Sequence, residues 1–178
     1  MEIFNEGNLV FEFPTDNVIK YDGTNLYRKT LTQNAFGGFK AVDFFYINKN
    51  TLYAIEVKDF RQWGKFRQES LEDLGIELQQ LPMKIIEKVR DSLTGLVLGK
   101  FNKTDEISMQ RDCFRDEIKF LHVVLHIELP EKYNDREVKP YLSLLKSKLE
   151  QLLRGVNKVS VVNKNMLDNI EWTVSDRD

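Results

Sequence analysis

Lys40-Ala41-Val42-Asp43-Phe44-Phe45-Tyr46-Ile47-Asn48-Lys49-Asn50-Thr51-Leu52-Tyr53-Ala54-Ile55-Glu56-Val57-Lys58-Asp59 reads as two strands joined by a tight turn. Ala41 to Ile47 and Thr51 to Val57 are rich in aromatic and β-branched residues, which fit a pleated surface. Asn48-Lys49-Asn50 separates them as a hairpin turn. If Lys49 and Asn50 are the two turn residues, Asn48 faces Thr51 and Asp43 lies directly opposite Glu56. Directly opposed residues share a sheet face, with Cβ atoms roughly 4.5–5.5 Å apart. Lys58 is two residues beyond Glu56, so it points to the same side. A one-residue slip would put the two acids on opposite faces.

Both faces of this hairpin are otherwise apolar. Phe45, Ile47, Leu52 and Ala54 share the side of Asp43 and Glu56; Val42, Phe44, Tyr46, Tyr53, Ile55 and Val57 take the other. Such strands are expected to be covered on both sides. Two facing carboxylates repel and are costly to bury without compensation. Lys58 supplies one positive charge, and a divalent cation would supply the rest. Hard oxygen donors suit Mg²⁺ or Mn²⁺, which keep several waters and engage phosphate.

Outward from the hairpin, the leading segment offers strands at Leu9–Phe13, ended by Pro14, and at Asn17–Tyr21, with Asp22-Gly23 as a turn signal. Gln33 to Gly38 reads as a loop. Downstream, Leu71, Leu74, Leu78, Leu81, Ile85, Val89, Leu93 and Leu96 recur at helical spacing. Pro82 places the main helix at about Gln79 to Leu98, with Gly99 as its stop. Ile118 to Leu129 reads as a buried strand. Pro140 opens a second helix through Tyr141, Leu145, Leu149 and Leu152, ended by Gly155. Val159–Val162 is a short strand, and Trp172–Val174 a last edge strand. A strand–helix–strand crossover of this length makes a parallel pair. The expectation is one α/β domain over residues 1–178, a mixed sheet flanked by helices.

Composition agrees. Of 178 residues, 42% are apolar and 30% charged, the balance of a globular chain. No apolar run reaches the roughly 20 residues of a membrane span. The first residues lack the pattern of a signal peptide. Cys113 is the only cysteine, which excludes an intrachain disulfide and fits a reducing cytoplasm. The net charge of −2 argues against coating nucleic acid with the whole surface. Locally the balance reverses. Lys40, Lys49, Lys58, Arg61, Lys65 and Arg67 outnumber Asp43, Glu56 and Asp59 two to one. That patch would meet a phosphate, or is simply a solvated surface.

Lys40-Ala41-Val42-Asp43-Phe44 followed by Ile55-Glu56-Val57-Lys58-Asp59-Phe60-Arg61 resembles the PD-(D/E)XK, or restriction-endonuclease-like, superfamily, including a group of uncharacterised bacterial members. Its pattern is an acid at the start of one core strand and (Asp/Glu)-x-Lys on the next. The resemblance implies an αβββαβ core and metal-dependent hydrolysis of nucleic acid, most readily DNA. It implies that Asp43, Glu56 and the backbone carbonyl of Val57 hold Mg²⁺ or Mn²⁺, and that Lys58 positions or deprotonates the attacking water. Lys40 and Arg61 are the flanking cations for substrate phosphate. Asp59 and Arg61 touch a phosphate or are solvated. Val42 stands where many members have proline. The upstream acid that members carry on a first helix has four candidates, Glu2, Glu6, Glu12 and Asp22. Gln79 and Gln80 occupy the place of a helix glutamine that some members use. The rival expectation is the same fold with a defective site, binding nucleic acid or a protein.

Other candidates are structural. His122 and His126 fall in a strand, where four residues span roughly 13 Å, too far for one ion. Cys113 has no nearby histidine and is not a nucleophile. Gly37-Gly38 precedes a strand, not a helix, and is a turn rather than a phosphate cradle.

Overall fold

The computed structural model describes residues 1–32, 38–63, 70–101, 112–130, 135–167 and 170–177. Most of the expected loop at 33–38, and the cations Lys65 and Arg67, lie outside them. The chain forms a mixed α/β domain with two sheets. The strands are β1 (Glu2–Glu6), β2 (Leu9–Phe13), β3 (Val18–Lys20), β4 (Phe44–Asn48), β5 (Thr51–Asp59), β6 (Phe120–Glu128), β7 (Lys158–Val162) and β8 (Thr173–Asp176). The long helices are α1 (Leu71–Phe101) and α2 (Asp135–Leu152). A 3-10 turn, Tyr21–Gly23, and a π-helical stretch, Leu26–Leu31, lie between β3 and β4.

The main sheet has the order β3-β4-β5-β6-β7. β3, β4 and β5 form an antiparallel meander; β6 joins β5, and β7 joins β6, in parallel. The crossovers run through α1 and α2, as the strand–helix–strand pattern requires. The β4–β5 register pairs Asn48 with Thr51 and Phe44 with Ile55, the register expected from sequence. Lys49 takes the left-handed φ of 53° at the first turn position.

Both faces of the main sheet are covered, but not by helices alone. Phe45, Ile47, Leu52, Ala54, Val123, Leu125 and Ile127 pack under α1 and α2 in one core. Phe44, Tyr46, Ile55, Val57 and Val124 pack on the other face against Leu9, Phe11, Phe13 and Trp172. That cover is the second sheet, in the order β1-β2-β8. The flanking layer on this side is therefore a sheet, because the chain's leading strands pair with its last one instead of extending the main sheet. Of the expected edge strand Trp172–Val174, Thr173 and Val174 do lie in one, β8, though of this smaller sheet.

The helices start earlier than proline placement suggested. α1 begins at Leu71 and keeps Pro82 inside it; α2 begins at Asp135 and contains Pro140. Gly99 lies within α1 rather than stopping it. Ser70 and Asp73 cap α1 reciprocally: Asp73 N–H donates to Ser70 Oγ at 3.1 Å, and Ser70 N–H to Asp73 Oδ2 at 2.8 Å. Gly75 lets α1 approach the Tyr141 ring of α2, where a Cβ would come within 2.7 Å. No helix of the described residues is long and apolar enough to cross a membrane.

Candidate metal centre

Asp43 stands one residue before β4, its backbone fixed from three sides. Its N–H donates to the Ile55 carbonyl, and its carbonyl accepts from Tyr21 N–H. Just ahead, Val42 N–H donates to Ser92 Oγ at 2.9 Å and Lys40 N–H to Asp91 Oδ2 at 3.1 Å, both from α1. This explains why Ala41 and Val42, expected from sequence to be strand, are not: their segment is bonded to a helix. The Asp43 side chain is 8% exposed, and its Oδ2 accepts the Val57 N–H at 2.6 Å.

Glu56, on β5, is wholly buried on the same sheet face, under α1. Its Oε1 accepts from Lys58 Nζ at 2.6 Å and from Lys88 Nζ at 2.7 Å. Its Oε2 has no partner among the described residues. Burial, then the Glu56 charge, pushes the Asp43 carboxyl up to about 7, against the opposing pull of Lys88 and the Val57 N–H. Burial works against the Lys88 ammonium, but Glu56 and Asp43 together outweigh it and raise its pKa.

Two more acids reach Asp43. Carboxylate oxygens of Glu6, Asp22 and Asp43 all lie within 4.8 Å of one another. Glu6 comes from the end of β1 and Asp22 from the 3-10 turn, so neither is on a helix preceding the meander. Glu6 also takes Lys20 Nζ at 2.5 Å. Asp22 Oδ1 is buried without a partner among the described residues, and burial raises the Asp22 pKa while Lys20 opposes. Of the other two candidates, Glu12 accepts from Thr173 Oγ1 at 3.3 Å, and Glu2 sits at the far end of β1. Glu6, Asp22 and Asp43 are thus the acids that could each offer one oxygen to a hard cation.

The flanking cations are otherwise engaged. Arg61 holds Asp59 through Nε at 2.8 Å and Nη2 at 2.6 Å, and bonds Asp176 and the Asn8 carbonyl. It ties the end of β5 to the small sheet. Lys40 pairs with Glu87 at 2.8 Å. Gln79 and Gln80 are exposed on α1. The helix residue that enters the site is Lys88, which sequence reasoning missed. It lies in the stripe Leu74, Leu78, Leu81, Ile85, Lys88, Ser92, whose alternating four- and three-residue steps face the core. Two polar residues in an otherwise apolar stripe were the available signal.

The two histidines and the cysteine lie away from this cluster in the sequence, and the structure gives each its own surroundings. His122 Nε2 lies 2.9 Å from Ser160 Oγ, and burial pushes its pKa down to about 4. His126 Nε2 lies 2.9 Å from Glu128 Oε1, which also accepts the Lys164 N–H. Burial pushes the Cys113 thiol up to about 11.

A cysteine–tRNA ligase from Neisseria meningitidis is 30% identical to this chain. The match takes in 98% of the chain but only 30% of the ligase, so the chain spans under a third of that relative's length. No family model matches the chain, and no solved structure does.

Proposed function

We propose that the chain is a metal-dependent phosphodiester hydrolase of the PD-(D/E)XK type, acting on nucleic acid. The observation that carries this reading is the convergence of Asp43, Glu56 and Lys58 on one buried sheet face, joined by the upstream acids Glu6 and Asp22. The antiparallel meander β3-β4-β5, extended in parallel by β6 through α1, agrees with the strand part of a restriction-endonuclease-like core. The leading helix of that core is replaced by the β1–β2 hairpin and by the helical stretch after β3.

In this reading Asp43, Asp22 and Glu6 hold Mg²⁺ or Mn²⁺, with Glu56 beside them. Such an ion lowers the pKa of a bound water and stabilises charge on phosphate. Asp43 is held for this role by the Val57 N–H and by its bonded backbone. Lys58, fixed against Glu56 and still 30% exposed, is the ammonium available to the attacking water and the scissile phosphate. The surrounding apolar cores keep bulk water from the buried carboxylates.

DNA is the first substrate to test. The likeness to part of a cysteine–tRNA ligase brings tRNA into the same panel. Purified protein is incubated with linear, circular and single-stranded DNA and with RNA including tRNA, in Mg²⁺ and in Mn²⁺. Cleavage by wild type should fall about a hundredfold to a thousandfold in Lys58→Ala, the usual loss for one preorganised charge-stabilising donor. The second reading, a binding module with a silent site, is favoured by the lysines that already occupy Glu56. Wild type that binds these substrates and cuts none of them decides for it.

A further inference from the structure

We propose that Lys88 is the resting counter-ion of the site, a positioning residue whose charge on Glu56 opposes a divalent cation held by the neighbouring acids. This rests on the metal-site reading above. One oxygen of Glu56 accepts two ammonium groups, Lys58 at 2.6 Å and Lys88 at 2.7 Å, while its other oxygen has no partner among the described residues. A single carboxylate needs one cation for neutrality. The second serves the neighbourhood, where Glu6, Asp22 and Asp43 bring three more carboxyl groups within reach of each other.

The two lysines are not equivalent. Lys58 is two residues from Glu56 on the same strand and face. Lys88 arrives from α1 on a long flexible stem, its side chain 24% exposed beside 30% for Lys58. A divalent cation among these acids makes Lys88 the surplus charge. Its ammonium then turns outward, where it meets a phosphodiester anion. The same side chain thus neutralises Glu56 and, once displaced, offers a contact to substrate.

The test is Mn²⁺ affinity, measured by calorimetry on the full chain without nucleic acid. Lys88→Met and the more conservative Lys88→Gln both remove the competing charge and should bind Mn²⁺ about tenfold more tightly than wild type, the effect of one partly screened charge at this range. Lys88→Arg keeps the charge and should stay at wild-type affinity. Circular dichroism shows whether each variant is folded, and Lys88→Gln retains a donor for Glu56 if Lys88→Met does not fold. Unchanged or weaker affinity in Lys88→Gln, with binding still lost in Asp43→Asn, overturns the role of Lys88 and leaves the metal site standing. Wild-type binding that Asp43→Asn does not reduce overturns both.

Discussion

Asp43 is a carboxyl group held where its charge is unwelcome. Burial and Glu56 raise its pKa to about 7, far above that of an unfolded aspartate. Between roughly pH 4 and 7 the folded chain therefore holds a proton at this position that the unfolded chain has released. Stability must fall as pH rises through that window and level off above it, by up to about 4 kcal/mol for a shift of this size. Asp43→Asn removes the titration and keeps an oxygen to accept the Val57 N–H. Its denaturant-derived stability should exceed that of wild type at pH 8 without metal and should lack this pH slope. A variant that tracks wild type from pH 4 to 8 would show that Asp43 titrates normally. At this scale the sequence was informative where strand geometry alone sufficed. The positions of Asp43, Glu56 and Lys58 follow from a two-residue turn and the period of two. Glu6, Asp22 and Lys88 were not legible as a set, because each reaches the site from a separate element through tertiary packing.

α1 is the element that sets the site. It caps the backbone entering β4 through Asp91 and Ser92, supplies Lys88, and lies directly on the 3-10 turn that carries Asp22. At Gly95 a Cβ would come within 2.1 Å of Tyr21 Oη and 2.7 Å of Leu31 Cδ1. Tyr21 is fully buried, so its ring has little room to give way. Gly95→Ala should lose about 1–3 kcal/mol, the usual result of overpacking, despite the better helix propensity of alanine. A melting temperature equal to or above wild type would mean that α1 does not press on this turn. The start of α1 was readable in the reciprocal pair Ser70 and Asp73, but Pro82 drew the boundary inward. An interior proline costs a helix about 3 kcal/mol. Burial of Leu74, Leu78 and Leu81 against the sheet offsets that, each side chain contributing roughly 1.5–3 kcal/mol. Packing thus overrides a local rule, and Pro140 in α2 repeats the case.

The whole molecule is three layers, helices over a mixed sheet over a small antiparallel sheet, and the proposed metal centre joins parts of all three. Glu6 belongs to the small sheet, Glu56 to the main one with Asp43 just ahead of β4, and Lys88 to the helices. The strand pattern predicted the main sheet well. It missed β1 and the small sheet, because the pairing of β2 with β8 joins residues 9–12 to 173–176, and no local signal records so distant a partner. This arrangement has a consequence for dynamics. A ligand that binds only the folded state stabilises it by mass action, and one that bridges layers should slow the opening of each segment that donates to it. The hairpin of β1 and β2 is held near the site by Lys20, which bonds Glu6 Oε2 and the Asn5 carbonyl. Millimolar Mn²⁺ should therefore raise the melting temperature of wild type and slow amide exchange in β1, in residues 21–31 and around Asp43 together. Glu6→Gln should lose the slowing in β1 while keeping part of it around Asp43, and Asp43→Ala should lose all of it. Uniform slowing in wild type and Asp43→Ala alike would place the ion elsewhere. Slowing confined to β4 and β5 would instead leave Glu6 outside the ligand set, and make its approach to Asp43 a feature of the lysine-bridged fold alone.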